Sequence, residues 1–374
     1  MEDTITSNMI KSIISYFLSI IGRIVPIKNN LFVFNSLPDM TDNAYALYLE
    51  LTKRDDVELV WIVDDPMPFK GSCSDEHTRI VAKKSFTAIW LFLRARMVIV
   101  THSLFWSFKN LRRDKIILNT GHGMPLKKIG LLDGKSWVPN LDYTISSSKV
   151  FQGVMSKCYG LPLNKVLLSG SPKCDLLFLP TDFYKNHDID KSRYKKIGAW
   201  LPTYRATDKV FNRVDGNFDE NKISCVSIQE LEVLNTFLMD KECLLVIKLH
   251  PMDILQKKSF PSFSNIIILK QSDMKEQLYP FLGSTDFLLT DYSSVWVDYD
   301  VLNKPVGFVL EDLDGYTKDR GFTIPVEDVF PGQVILNVQD LMKYIDNPTR
   351  ITKNIYNKYK DSSSSQRVLN MLKI

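Results

Sequence analysis

Short apolar runs alternate along this chain with longer stretches in which apolar positions recur every three or four residues. Runs of the first kind suit strands buried on both faces, and stretches of the second suit helices laid across a sheet. In the first half the strand-like runs are LFVFN (31–35), VELVWIV (57–63), RIVA (79–82), MVIVT (97–101), KIILN (115–119), YTISS (143–147) and KVLLSG (165–170). TDNAYALYLELTKR (41–54) and SFTAIWLFLRAR (85–96) lie between them with helical spacing, the βα rhythm of a parallel sheet.

A polar stretch, TDFYKNHDIDKSRYKK (181–196), interrupts the rhythm, which then restarts. Its second series of runs is IGAWLPT (197–203), CLLVIKLHP (243–251), NIIIL (265–269), DFLLTDY (286–292), PVGFVL (305–310) and QVILN (333–337), with IQELEVLNTFLM (228–239) as a helix between. At 374 residues two domains are expected. The predicted division is an N-terminal amphipathic segment (1–28), a first α/β domain (29–180), a second (181–345) and a helical tail (346–374).

The N-terminal stretch MIKSIISYFLSIIGRIVPIK (9–28) is dense in Ile, Leu and Phe but falls short of the roughly 20 uninterrupted apolar residues that span a bilayer. It is expected to lie in a membrane interface, a helix packed on the first domain being the other reading. No small-residue cleavage site follows it, so the catalytic part is expected in the cytosol. Five scattered cysteines without paired spacing agree with reduced thiols in a cytoplasmic protein and offer no zinc-site pattern.

Net charge, +4, is too small to argue for nucleic acid as a partner, yet it is unevenly spread. Residues 1–170 hold 21 Lys and Arg against 15 Asp and Glu, so the first half favours anions such as acidic lipid or a phosphate-bearing acceptor.

Candidate chemistry collects where strands end. Ligands of open parallel sheets gather beyond the carboxyl ends of the strands, because short loops and helix N-termini meet there. His102 closes MVIVTH, and Thr120-Gly121-His122-Gly123 follows KIILN. Thr203-Tyr204-Arg205 follows IGAWLP, Lys248 and His250-Pro251 close VIKLHP, and Thr290-Asp291 closes FLLTD. Ser293 and Ser294 are placed to start a helix over VWVDYDVL (295–302), stopped by Lys304-Pro305, with free N–H groups suited to a diphosphate and Asp298 one turn in, suited to a ribose hydroxyl. Glycines flank His122, an imidazole able to take a hydroxyl proton at neutral pH, and Lys127 and Lys128 follow as partners for an anionic acceptor.

The ordered set GHGMPLKKIG (121–130), GSPKCD (170–175), LPTYR (201–205), KLHP (248–251), TDYSS with Asp298, NKP (303–305) and DRGF (319–322) resembles the CDP-glycerol glycerophosphotransferase family of teichoic-acid and capsule polyol-phosphate transferases. The resemblance runs from about residue 30 to SSSQ at 363–366. It implies an α/β fold of two Rossmann-like domains facing a cleft, the glycosyltransferase B architecture. The implied partners are a CDP-activated polyol donor, a lipid-linked or polymeric acceptor and the inner face of the membrane. The donor is the substrate; no carboxylate cluster suited to magnesium is evident in the sequence, so no tightly bound metal or cofactor is expected.

Matched position by position, the family implies His122 as base and His250 as a second essential histidine contacting donor phosphate. Ser293 and Ser294 match the pyrophosphate pair and Asp298 the ribose carboxylate, while Thr203, Arg205, Lys248, Thr290 and Arg320 fall in donor motifs. Gly121 stands where many members have tryptophan, and Lys173 where arginine is common. The expected reaction is transfer of glycerol phosphate or ribitol phosphate to an acceptor hydroxyl with release of CMP. A nucleotide-sugar transferase or epimerase of the same architecture remains the alternative, since fold does not fix chemistry.

Overall fold

Alternation along the strands decides which helix each side chain meets. In a computed structural model of the protein, the described residues are 14–69, 78–105, 108–134, 138–204, 219–311, 313, 321–353 and 355–374. The strands are β1 (Lys28–Asn35), β2 (Glu58–Val63), β3 (Thr78–Ala82), β4 (Ala95–Val100), β5 (Ile116–Asn119), β6 (Tyr143–Ser146), β7 (Val166–Leu168), β8 (Lys196–Leu201), β9 (Lys222–Ile223), β10 (Val226–Ser227), β11 (Cys243–Lys248), β12 (Ile266–Leu269), β13 (Phe287–Thr290), β14 (Val306–Val309) and β15 (Gln333–Ile335). Helices are α1 (residues 14–24), α2 (Asp42–Leu51), α3 (Phe86–Arg94), α4 (Lys149–Tyr159), α5 (Phe183–Asn186), α6 (Glu230–Asp240), α7 (Leu278–Gly283) and α8 (Val295–Tyr299), followed by Val338–Asp346 and Ser364–Leu372. Every expected apolar run is a strand; the hairpin β9–β10, with strands of two residues each, is too short to leave a periodic signal.

The chain divides into two compact units. Unit 1 comprises Met1–Met124, Ile129–Asp175 and Asp361–Ile374; unit 2 comprises Pro125–Lys128 and Leu176–Lys360. Unit 1 holds a seven-stranded sheet in the order β3-β2-β1-β4-β5-β6-β7, all pairs parallel. Phe32, Phe34, Leu59, Trp61, Met97 and Ile99 face α2 and the C-terminal helix, while the intervening Leu31, Val33, Val60, Ile62, Val98 and Val100 face α3. Burial on both faces is what makes these runs continuously apolar.

Unit 2 repeats the scheme with six parallel strands in the order β12-β11-β8-β13-β14-β15. Trp200, Leu245, Ile247 and Leu289 pack under α6 and the helix Val338–Asp346. Numbered within each large sheet, both orders begin 3-2-1-4-5-6, the doubly wound order whose ligand crevice lies where strands one and four diverge.

Two expectations about organisation are corrected. The first boundary falls after Asp175 rather than at 180, and the C-terminal stretch is no separate tail. Residues up to Lys360 stay with unit 2, where the Asn357 amide donates to Val297 O and Lys360 pairs with Asp300. The helix Ser364–Leu372 returns to unit 1 because Val368, Leu369 and Leu372 need an apolar surface and find it beside α2. The Asp175 carboxylate accepts the N–H groups of Ser364 and Ser365 and so caps that helix.

Helix α1 turns its small residues inward. Ser15 and Ser19 are buried, while Ile14, Tyr16, Phe17, Ile20, Ile21 and Ile24 are exposed. The Ser19 hydroxyl accepts from Lys109 N, and the Arg112 guanidinium donates to the carbonyls of Arg23 and Val25 at the helix end. Leu18 packs on the apolar cluster beneath α3 and Gly22 lies against Leu93 and Phe108, so a narrow face docks while most of the large apolar side chains point outward.

Candidate functional site

In unit 1 the divergence point lies between β1 and β4, so the chain after β4 and its neighbour β5 reaches the ligand edge. His102 follows β4 and His122 follows β5; both rings are exposed. They stack face to face, with centroids 4.7 Å apart and planes within 3°. The buried Asn119 side chain ties the two loops together: its amide donates to His102 O and its oxygen accepts Gly121 N at 2.9 Å.

The same loop is held from beneath by α2. Fully buried Asn43 donates to Gly121 O at 3.1 Å and accepts Lys173 N at 3.0 Å. Lys173 is itself buried, donating to His122 O at 2.6 Å and lying 3.5 Å from Asp42. Its ammonium therefore shapes the loop that carries His122. Gly121 has φ +60, a left-handed conformation natural to glycine and strained for a tryptophan at the same place.

Lys127 and Lys128, expected on the acceptor side with His122, belong to unit 2. Lys127 forms an antiparallel bridge with Phe322, and Thr323 N donates to Leu126 O at 2.9 Å. Lys128 remains exposed.

In unit 2 the divergence point lies between β8 and β13, where the predicted donor residues end their strands. Asp291, fully buried, accepts Thr203 N with both oxygens at 3.0 Å, so one carboxylate fixes the loop after β8. His250 accepts Met252 N at Nδ1, 3.1 Å away, which places the neutral ring's proton on Nε2, a donor suited to a phosphate oxygen. The Tyr204 ring lies 4.8 Å from His250. A cavity of about 160 Å³ opens at this edge beside Thr203, walled by Pro202, Leu249, Asp253, Leu255 and Glu311.

Ser293 and Ser294 are half-buried at the start of α8. Ser293 Oγ accepts Val295 N at 3.3 Å, whereas the Ser294 side chain makes no capping bond. The expected two-turn helix is α8 continued by a 3₁₀ turn, Asp300–Leu302. Asp298 is buried and accepts the Tyr279 hydroxyl at 2.7 Å. Lys248 is buried at the end of β11, bonded to the Gln271 side chain at 3.0 Å, and burial pulls its pKa down to about 8.

Thr290, expected among the donor residues, is fully buried with its hydroxyl donating to Leu201 O, so it braces the strand end that carries Asp291. Arg205 and Arg320 lie outside the described residues. Asn43, Asn119 and Tyr279 did not stand out in the sequence as site residues, because each works by bracing a backbone or a side chain distant in the chain; Asp291 was marked by its place at a strand end, but its bracing of Thr203 N was not. Among the described residues no group of three His, Cys, Asp or Glu side chains is placed to hold a metal ion.

The profile of one protein family, described as CDP-glycerol:poly(glycerophosphate) glycerophosphotransferase, matches residues 17–373. The teichoic acid glycerol-phosphate primase of Bacillus subtilis (strain 168) is 28% identical over 309 residues, 76% of this chain and 75% of that protein. The teichoic acid glycerol-phosphate transferase of Staphylococcus aureus is 27% identical over 350 residues, 85% of this chain and 84% of that one. Among solved structures, the wall teichoic acid polymerase TagF, as a variant soaked with CDPG, aligns with TM-score 0.74 and 19% identity over 98% of this chain and 95% of that chain. A UDP-GlcNAc 2-epimerase from Neisseria meningitidis shares the fold more loosely, with TM-score 0.54 and 13% identity over 91% of this chain and 98% of that chain. With the profile spanning nearly its whole length, the chain belongs to the CDP-glycerol:poly(glycerophosphate) glycerophosphotransferase family.

Proposed function

We propose that this protein moves a polyol phosphate, glycerol phosphate or ribitol phosphate, from a CDP-polyol donor to an acceptor hydroxyl in the synthesis of teichoic acid or a capsular polymer. The observation that carries the reading is the placement of chemistry at the ligand edges of two doubly wound sheets in a chain of this family. The units act as the paired Rossmann-like domains of the glycosyltransferase B architecture. One supplies a base, and the other grips the donor.

His122 takes the proton of the acceptor hydroxyl as that oxygen's electron pair forms a bond to the β-phosphorus. The bond from this phosphorus to the bridging oxygen breaks, and its electron pair leaves with CMP. His250, donating from Nε2, and the Ser293 and Ser294 hydroxyls and N–H groups stabilise the charge that grows on the departing phosphate. Asp298 orients the ribose, Thr203 and Lys248 complete the donor edge, and the exposed Lys128 and neighbouring Lys127 meet an anionic acceptor. Arg205 and Arg320 are assigned to the donor on their motifs alone.

Incubation with CDP-glycerol or CDP-ribitol and a polyol-phosphate lipid acceptor, with products read by mass spectrometry, tests the reading. Acceptor extension with stoichiometric CMP is expected; turnover of UDP-sugars with no CMP would contradict it. Cationic and N–H donors serve the phosphates here, so transfer is expected to persist after dialysis against a chelator. Complete loss restored only by magnesium would contradict that expectation.

Helix α1 supports attachment to the cytoplasmic face of the membrane. No helix among the described residues is long and apolar enough to cross a membrane. The exposed apolar face of α1 is suited to lying in the interface, helped by the basic excess of the first half.

A further inference from the structure

We propose that His102 is a positioning residue for His122, its stacked ring holding the second imidazole in plane and favouring the imidazolium that forms there. The inference rests on the reading of His122 as the base. A parallel stack at 4.7 Å and 3° gives the His122 ring a broad face to lie against, where an exposed loop residue would otherwise sample several rotamers. The partner ring is itself anchored: His102 Nδ1 lies 3.1 Å from the Thr101 hydroxyl, and His102 O accepts the Asn119 amide whose other end holds Gly121 N. One buried asparagine thus sets the spacing of both loops.

The stack also has an electrostatic consequence. A proton arriving on His122 is welcomed by a neutral aromatic face and opposed by a charged one. Desolvation of the stacked His102 ring lowers its pKa, Asp42 opposes that shift and Lys83 adds to it, all of which bears on how readily this ring becomes a cation. The groups facing the pair are Asp42 and Asn43 from the start of α2, Lys83 before α3, Thr101, Asn119, and Lys173, which holds His122 O. A protonated His102 is a competing cation beside His122, so activity at mildly acidic pH reports both rings.

The test compares His102→Ala with His102→Phe, which keeps a flat ring but cannot titrate. Because the side chain is exposed, both variants are expected to fold. His102→Ala should lower kcat about 10-fold at pH 7 with KM for the CDP-polyol unchanged, a loss in keeping with a mispositioned base. His102→Phe should recover most of that loss and leave a single histidine titration on the acid limb. In protein labelled at histidine, the NMR titration of His122 should move in His102→Ala. Wild-type rate, pH profile and His122 titration in both variants would overturn the proposal, as would equal loss in both. His122→Asn separates the two readings. If it keeps full turnover the base assignment falls, whereas a dead His122→Asn beside unaltered His102 variants sinks only the positioning role.

Discussion

Gly121 stands one residue before the proposed base with φ +60, and the loop around it is pinned by Asn43, Asn119 and Lys173. An ideal Cβ there has space, its nearest neighbour being Gly123 O at 3.9 Å, so the obstacle to a side chain is the backbone conformation alone. Gly121→Ala should cost about 1–2 kcal/mol locally and displace His122, lowering kcat while donor affinity holds; unchanged kcat would show that the loop tolerates another conformation. Lys248 offers a second residue-scale prediction. Its pKa in the folded protein is depressed to about 8 from 10.5, so its contribution to stability is present above the unfolded value and is lost as pH falls through about 8. Lys248→Met should therefore raise the melting temperature at pH 7 and flatten its rise between pH 7 and 10, yet weaken CDP-polyol binding. A variant melting below wild type at pH 7 would contradict the assignment of burial as the dominant cause. Neither prediction could come from the sequence, which marks Gly121 and Lys248 as unusual but says nothing of φ or burial.

At the scale of elements, the periodic segments were legible and the short or long-range ones were not. Apolar runs such as 57–63 and 243–248 suit strands in a sheet covered on both sides, and they form β2 and β11. The two-residue strands β9 and β10 carry no period, and the return of the helix Ser364–Leu372 to unit 1 depends on Asp175, almost 190 residues earlier, which no local pattern announces. Asp175→Ala should remove that cap at a cost of about 1 kcal/mol and raise hydrogen exchange in residues 364–372; unaltered exchange would show that apolar packing and the Arg367 bond to Ser169 O hold the helix without it. Helix α1 was legible as amphipathic, but its docking through a narrow face of Ser15, Leu18, Ser19 and Gly22 with most of its large apolar side chains outward was not. Replacing Ile20, Ile21 and Ile24 by Ser should abolish co-sedimentation with phosphatidylglycerol vesicles and spare turnover of a soluble acceptor. Equal sedimentation of the variant would contradict an interfacial role for this face.

For the whole molecule, strand order and family agree on architecture, while the epimerase likeness shows that this architecture serves unrelated reactions. The chemistry is therefore decided by which groups stand at the ligand edges: a histidine stack in unit 1, and in unit 2 a histidine with its Nε2 donor, paired serines and a buried aspartate. That division of labour, base from one unit and donor grip from the other, is the central claim. It is tested most directly by His122→Asn, assayed for transfer and, separately, for CDP-glycerol binding by calorimetry. With His122 as base, kcat falls at least about 100-fold, as for loss of a general base, and donor affinity is nearly unchanged. Parallel loss of rate and affinity, or retention of both, would contradict it.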